Sequence, residues 1–411
     1  MPPFFEKKGR PHMNKKISVG LCISLVIIFV TLTFAVTMVA SKQIFSGIMN
    51  NISQRSQAYQ SVDEISQIVS NYFYGSVSDQ NELNGALTEG YVNGLGDSNS
   101  RYLSANEYAS YTGMIDGGIT GIGIETAYNY QQAQLIVTYV YEGSPAEKSG
   151  VQAGDVVTAI NNTTVTMSNF AQLQNMLYGS LLSSVAVEYE RDGETKVADI
   201  MSGFSIPGIK TNIYGDVGYI KISGFYKNTA SEFKAAIEKL VQNGAESMVF
   251  DVRDVSSGTI DYSAQVIDVI VPAISDNIAV AKGKDGNVYK NKIYTAENSN
   301  FSMPFAVLVN GGTSGPAELF ACDMRDIAQA HLIGTTTAGN GTMQEIFALE
   351  DGGAVLLTVA LVEPKGGAAA VYDKVGVAPT VEVTLNYAGY GGTLTLEQDN
   401  QLSTALNMLA S

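Results

Sequence analysis

The strongest constraint on the fold is the alternation of strand and helix patterns in the second half of the chain. Residues 309–345 read VNGGTSGPAELFACDMRDIAQAHLIGTTTAGNGTMQE, which predicts a strand, a glycine turn, a helix, a second strand and a second glycine turn. Upstream, GYIKISGF predicts a strand, residues 229–243 an amphipathic helix and SMVFDVRD a buried strand. Strands that alternate with crossover helices form parallel sheets, so the sequence predicts an α/β core.

A β-rich region precedes this core. Its runs GIGIET, QLIVTYV, GDVVTAINN and VAVEYERDGETKVADI predict short strands, with a hairpin turn at Asp192-Gly193 and one helix at about 167–178. The segment EGSPA, followed by SGVQAGD, predicts a short helix from Pro145 and a tight turn at Gly154. A glycine loop before a strand edge can bind an anion and accept an added peptide strand. This candidate peptide-binding loop consists of Gly121, Ile122, Gly123 and Ile124.

The N-terminus contains 24 uncharged residues, 17–40, and a bilayer span needs roughly 20. Five basic residues precede them, so a transmembrane helix at 17–41 would leave residues 1–16 in the cytoplasm and the bulk outside the plasma membrane. A cleaved signal peptide is the alternative, with a shorter apolar region. The whole chain has a formal net charge of −16, and residues 1–16 carry a net charge of +4. The remainder is therefore strongly acidic, and nucleic acid is not an expected partner.

Between the predicted span and the β-rich region lies a helical region, residues 50–113. Apolar spacing predicts helices at 57–74 and 81–95, and LGDSNSRYLSANEY predicts a turn and a short helix capped at Ser104. A last helix is predicted from Asp399 to Leu409.

Cysteine and histidine are too scarce for several kinds of site. Cys22 lies in the predicted span and Cys322 in a distant helix, so they cannot pair, and no spacing indicates a metal or another cofactor. The histidines are His12, in the N-terminal tail, and His331, which AHLIG predicts as a strand packing residue. A Ser-His-Asp mechanism in the outer part would have to use His331.

The order of these motifs resembles a known family. The β-rich region resembles a PDZ domain, and GYIKISGF, DVRD, VLVNGGTSGPAE, GTTTAGNGTMQE, DGGAVLLTVA, GVAPT and DNQLSTALNML resemble the C-terminal processing peptidases, or tail-specific proteases. The resemblance implies a Ser-Lys dyad: a serine three residues before the helix glutamate, Glu318, and a lysine 25 residues after that serine, with a glutamine four residues further on.

Only part of that pattern is present. The nucleophile position falls on Gly315, the lysine position on Asn340, and Gln344 alone matches. The oxyanion hole implied by the resemblance uses the N–H after the nucleophile and a glycine N–H; here these positions hold Pro316, which has no N–H, and Ser257.

Three hypotheses follow, the last of which is a purely structural envelope protein with a vestigial PDZ domain, which the intact GIGI loop argues against. The first is a membrane-anchored, extracytoplasmic pseudopeptidase that binds protein C-termini or extended peptides through its PDZ domain. The second is an active serine endopeptidase in which Ser314 is a shifted nucleophile and Lys365 a displaced base. The structural alternative for Ser314 is the N-cap of the helix that follows. The predicted architecture is α/β, with a PDZ-like domain at 115–203, a peptidase-like core at 204–385 and a helical segment at 386–411.

Overall fold

The computed structural model describes residues 19–75, 80–117, 120–129, 134–178, 184–273, 277–297, 299, 301–365, 367, 371–386 and 396–410. The chain divides into two compact units, Met1–Gln80 and Asn81–Ser411.

The first unit contains one long helix, α1 (Val19–Tyr72), whose described large apolar side chains between Ile23 and Val39 are exposed. Most of the predicted helix at 57–74 lies within α1. The predicted cytoplasmic tail lies outside the described residues. Within the part of the chain that the structure describes, no helix has both the length and the apolarity needed to cross a membrane. The predicted span at 17–41 therefore gains no support from the structure.

The second unit begins with α2 (Gln80–Asn93), β1 (Arg101–Leu103) and α3 (Ala105–Gly117). The two predicted helices are confirmed. Ser104 caps α3, because its backbone N–H donates to Glu107 Oε2 at 2.8 Å. β1 was not predicted; it pairs antiparallel with a strand of the peptidase-like core, Arg101 lying opposite Leu356. This pairing joins the helical region to the core.

The PDZ-like domain is an antiparallel sheet with two short helices. Its elements are β2 (Thr120–Gly121), β3 (Ile124–Asn129), β4 (Gln134–Val140), α4 (Pro145–Lys148), β5 (Val156–Ile160), β6 (Thr163–Thr164), α5 (Phe170–Met176), β7 (Ser184–Arg191), β8 (Glu194–Met201) and β9 (Phe204–Ser205). The main sheet has the order β3-β4-β5-β7-β8, with β6 paired to β5, so β3 is an edge strand.

The predicted local features of this domain are confirmed. Ser144 caps α4 and Pro145 occupies its first turn. The hairpin at Asp192-Gly193 has φ of 54° and 80°, as a type I′ turn requires. Gly154 has φ of 96°, which places the predicted tight turn there.

In its described residues, the peptidase-like core has two sheets and four helices. Its elements are β10 (Ile209–Tyr214), β11 (Val217–Ile222), α6 (Thr229–Gln242), β12 (Ser247–Asp251), α7 (Ile260–Ile270), β13 (Ala279–Gly283), β14 (Val288–Tyr294), β15 (Phe305–Val309), α8 (Pro316–Asp326), β16 (His331–Gly334), β17 (Thr342–Ala348), β18 (Ala354–Pro364), β19 (Val381–Glu382) and α9 (Asn400–Leu409).

The larger sheet is the predicted α/β layer. Its order is β10-β11-β12-β15-β16-β19, and every pair from β11 to β19 is parallel. Phe250 packs with residues of α6, α7 and α8, whereas its neighbour Val249 packs with α9, so helices cover both faces. The second sheet has the order β1-β18-β13-β14, with β17 paired to β18, and β13 and β14 form an antiparallel hairpin.

A buried charge cluster holds α9 on the core. The Arg253 guanidinium donates to Asp251 Oδ2 at 2.6 Å and to Asp399 Oδ2 at 2.7 Å, and Asp399 also caps α9. Burial alone would raise the pKa of Asp251, but Arg253 and Lys221 hold that pKa well below its usual range. The motifs DVRD and DNQLSTALNML therefore meet in space.

The prediction for His331 is wrong in one respect. His331 is the first residue of β16, opposite Ala306, as a strand residue should be. Its side chain is exposed, whereas Leu332 and Ile333 after it are buried, because β16 enters the core only beyond its first residue.

Candidate peptidase site and peptide groove

The nucleophile position is a glycine turn at the start of α8. Gly315 is the N-cap, with φ of 59° and ψ of −115°, and Pro316 is the first helical residue. The Ser314 N–H donates to Val255 O at 2.8 Å, which ties the turn to the loop after β12. Positive φ favours glycine, so helix entry falls on Gly315 rather than Ser314. The predicted N-cap at Ser314 is therefore wrong by one residue.

Glu318 braces this turn against the next one. Its carboxylate is fully buried, and Oε2 accepts hydrogen bonds from the N–H of Gly315 at 3.0 Å and of Asn340 at 2.7 Å. Oε1 accepts from the N–H of Gly339 at 2.6 Å and from the Thr337 hydroxyl. Four donors from two separate turns converge on one side chain. The sequence marks Glu318 only as the reference point of the motif, so this role was missed.

The AGNG turn lies close to another backbone segment. Gly339 has φ of 84°, and a Cβ built on it would lie 3.0 Å from the backbone nitrogens of Val375 and Gly376. A side chain at this position would collide with that segment. The glycine therefore fixes where Asn340, the next residue, presents its side chain.

Gly315 and Asn340 face each other. A Cβ built on Gly315 would lie 3.6 Å from Asn340 Nδ2, and no other described atom lies within 4 Å of it outside its chain neighbours. The two predicted dyad positions are therefore adjacent in space, with room for a side chain at the first. Neither residue supplies a nucleophile or a base.

Asn340 belongs to a neutral hydrogen-bond network. Its Oδ1 accepts from Asn99 Nδ2 at 3.1 Å and from the Thr342 hydroxyl at 2.7 Å, and its Nδ2 donates to Asn99 Oδ1 at 3.4 Å. Gln344 Nε2 donates to Thr342 Oγ1 at 2.7 Å and to Thr358 Oγ1 at 3.3 Å. The retained glutamine and the substituted lysine position thus share one network.

Asn99 connects this network to the helical region, because it lies in the turn before β1. Its neighbour Ser100 accepts a hydrogen bond from the Thr358 N–H at 3.0 Å and donates to Asp97. Burial would raise the pKa of Asp97, but the hydrogen bonds from Ser100 and Thr358 hold that pKa below its usual range.

The shifted dyad has no geometric support among the described residues. Ser314 is half-buried, and no hydrogen bond joins its hydroxyl to a lysine in the part of the chain that the structure describes. Lys365 is exposed just after the end of β18. The structure therefore does not pair Ser314 with Lys365.

The two oxyanion positions hold Pro316 and Ser257, and only the first of them lacks a backbone N–H. Pro316 has no N–H, and its carbonyl accepts a hydrogen bond from the Ser263 hydroxyl at 2.6 Å. Ser257 lies beside Gly258, and its hydroxyl accepts from Tyr226 Oη at 2.8 Å. The Ser257 carbonyl accepts from the Phe225 N–H at 3.0 Å, which anchors this turn to the loop after β11.

The predicted peptide-binding loop connects β2 to β3. Ile122 and Ile124 are buried, and a Cβ on Gly123, at φ of 89°, would overlap the Ser144 side chain. The Ile122 N–H donates to Leu177 O at 3.0 Å, so the chain itself uses this donor. Beside this loop, where Tyr178 forms a bridge with Gly121, burial raises the pKa of Tyr178 to about 12, and the charge of Glu125 adds to that shift.

No metal-binding group of three or more His, Cys, Asp or Glu side chains occurs among the residues described here. Cys322 is a buried free thiol on α8, and burial raises its pKa, so it is a poor nucleophile.

Comparison with known proteins agrees with both domains. Residues 216–383 match Peptidase family S41, and residues 136–191 match the PDZ domain. A Staphylococcus saprophyticus protein named probable CtpA-like serine protease is 28% identical to this chain, over 85% of the chain and 70% of its own length. The chain belongs to the C-terminal processing peptidase family.

Other relatives of this chain extend the comparison. Carboxyl-terminal-processing peptidase 2 of the Arabidopsis thaliana chloroplast is 30% identical, over 69% of the chain and 57% of its own length. Among solved structures, an S41 protease of Bacteroides fragilis superposes with a TM-score of 0.55 at 19% identity, covering 84% of this chain and 96% of that one. This last likeness concerns the fold. The predicted family is confirmed, and both matched segments fall inside the predicted domains.

Proposed function

We propose that this C-terminal processing peptidase homologue binds protein C-termini or extended peptides without cleaving them. The observation that carries the proposal is the facing pair: a Cβ on Gly315 would lie 3.6 Å from Asn340 Nδ2. The two positions are as close as a nucleophile and its base need to be, but the residues present can be neither. The framework of the site remains, and the reacting groups do not.

Three independent losses support the absence of cleavage. Gly315 offers no hydroxyl, and the Asn340 amide cannot take up a proton near neutral pH. Pro316 cannot donate to an oxyanion, and loss of one such donor typically costs about 100- to 1,000-fold in rate. Restoring any one of these groups would leave the others missing.

Peptide binding is assigned to the PDZ domain. Its edge strand β3 follows the loop Gly121–Ile124, the arrangement by which an extended peptide adds to a sheet. Backbone N–H groups of such a loop recognise a terminal carboxylate. We therefore propose protein C-termini and extended apolar segments as ligands.

We also propose an extracytoplasmic position beside the plasma membrane. The support is the uncharged stretch at 17–40, the basic residues before it and the exposed apolar side chains between Ile23 and Val39. Fractionation of cells after alkaline carbonate extraction tests this: release of the full chain into the soluble fraction would remove the anchor.

The absence of cleavage is tested by incubating the full-length protein in detergent micelles with casein. We expect no fragments from the wild type. Ser314→Ala is the test variant, and Ser302→Ala, at an exposed serine before β15, is its matched control. Cleavage by the wild type that Ser314→Ala abolishes and Ser302→Ala preserves would replace this proposal with the shifted-nucleophile endopeptidase.

Binding is tested with a fluorescein-labelled peptide ending in Ala-Val-Ala-Ala, made with a free or an amidated C-terminus. Charge-assisted hydrogen bonds to the carboxylate should make the free acid bind about tenfold or more tightly. Equal affinities for the two forms would exclude recognition of the carboxylate, and no binding of either would exclude the peptide site.

A further inference from the structure

The groove that a peptide would enter in the PDZ domain is filled by the domain's own side chains. Among the described strands, β3 pairs only with β4, on one of its sides. The residue of β4 opposite Thr126 is Val137. The Val137 N–H does not donate to Thr126 but points away from β3 and donates to Asp155 O at 2.8 Å. The N–H and C=O of one residue in an antiparallel strand point to the same side, so Thr126 directs its backbone groups to the open edge.

Gln174 of α5 occupies that edge. Its Nε2 donates to Thr126 O at 2.7 Å, the carbonyl that an added peptide strand would use. The distance is short for a hydrogen bond between neutral groups, so the contact is well formed. A side-chain amide thus takes the place of a peptide N–H.

A second contact closes the groove two residues further along β3. The rings of Tyr128 and Phe170 are stacked, with centroids 4.1 Å apart and planes at 16°. Tyr128 is buried, and such an aromatic pair contributes roughly 0.5–1.5 kcal/mol beyond its buried area. Phe170 begins α5, so the same helix makes both contacts.

The carboxylate end of the groove is also occupied from this helix. Leu177, directly after α5, accepts the Ile122 N–H through its carbonyl at 3.0 Å, and Tyr178 forms a bridge with Gly121. The helix and the residues that follow it therefore contact the groove at three points: the strand edge, the aromatic pair and the loop.

We propose that α5 is a self-blocking element whose Gln174 must leave Thr126 before a peptide can bind. This inference concerns the regulation of the peptide site proposed above and rests on that proposal. The buried Thr126 hydroxyl has no hydrogen-bond partner among the described residues, so the closed state carries a desolvation penalty that opening relieves. A peptide that needs the open state binds with its affinity reduced by the open fraction.

The first test removes the competing donor. Gln174→Leu keeps the size of the side chain but cannot donate, and one neutral hydrogen bond corresponds to about 2- to 10-fold in affinity. We expect the full-length variant to bind the free-acid peptide tighter by that factor. Gln152→Leu, at an exposed glutamine of the same domain, should match the wild type. If circular dichroism shows that Gln174→Leu does not fold, Gln174→Glu replaces it, because it removes the donor and keeps a polar side chain. Binding to this variant is measured with the amidated peptide, whose C-terminus carries no negative charge for the glutamate to repel.

The second test reports on the aromatic contact. The chain contains no tryptophan, so Phe170→Trp places a single indole against Tyr128. We expect the tryptophan emission to change as peptide is added, with the same midpoint concentration that the fluorescein-labelled peptide reports. Adding Gln174→Leu to the Phe170→Trp variant should lower that midpoint concentration. Equal peptide affinities for wild type and Gln174→Leu would overturn the blocking role and leave the peptide site intact. Absence of binding by both would remove the peptide site and the block together.

Discussion

Replacement of Glu318 by glutamine should weaken the peptidase-like core severely. The change keeps the shape of the side chain but turns one acceptor oxygen into an NH₂ donor. Glu318 accepts four hydrogen bonds, from the N–H groups of Gly315, Gly339 and Asn340 and from the Thr337 hydroxyl. Whichever way the amide turns, two of the four donors then face another donor.

The magnitude follows from that count. The least costly orientation faces NH₂ towards Gly339 and Thr337, because the Thr337 hydroxyl can rotate and accept. One buried N–H is then unsatisfied, at about 1–3 kcal/mol, and the remaining bonds lose the roughly 1 kcal/mol each that separates charged from neutral acceptors. We expect Glu318→Gln to lower the free energy of unfolding by about 4 kcal/mol.

Urea denaturation followed by circular dichroism measures this change, with Glu350→Gln as the matched control at an exposed glutamate. The control should differ from the wild type by less than about 0.5 kcal/mol. A loss at Glu318→Gln no larger than that of the control would mean that the four donors do not depend on the carboxylate, and the account of the brace would be wrong.

Two further predictions concern the site and the helix behind it. The triple variant Gly315→Ser, Asn340→Lys and Pro316→Ala should cleave casein, whereas each single variant should not. Serine at φ of 59° costs roughly 1 kcal/mol in backbone strain. A triple variant that folds but remains inactive would contradict the assigned dyad positions. Asp323 on α8 is fully buried with neither oxygen hydrogen-bonded among the described residues, and burial, then the charge of Asp326, raises its pKa well above the usual range. The folded state then keeps this proton at pH values where the unfolded state has lost it, so stability falls as pH rises from the usual aspartate pKa through the raised one. Asp323→Asn should therefore gain stability relative to the wild type as pH increases from ~4 to ~8, measured by urea denaturation, and parallel pH profiles would refute the buried-carboxyl reading.

The sequence located the dyad positions because their spacing is carried by regular elements. Counting back from Glu318 crosses one helical turn, and counting forward to Asn340 crosses a helix and a buried strand, neither of which tolerates an inserted residue. Gly315 and Asn340 consequently face each other as the alignment of motifs required.

Other contacts could not be found in this way because they join distant segments through side chains. Asn99 lies 241 residues before Asn340, and no local pattern connects the two amides. The bond between Gln174 and Thr126 likewise depends on how α5 lies across β3, whereas hydrophobic periodicity reports only that each element exists. The misplaced cap at Ser314 has a different cause: backbone conformation at a glycine decided the first helical residue.

The amide pair between Asn99 and Asn340 has an evolutionary consequence. A lineage that acquired lysine at 340 would place an ammonium group against an asparagine and a threonine that now complement an amide, with glycine still at 315. A serine acquired first would find no base. On the proposed function, either replacement alone would leave one member of the dyad without its partner, and a lysine at 340 would also break a satisfied hydrogen-bond network.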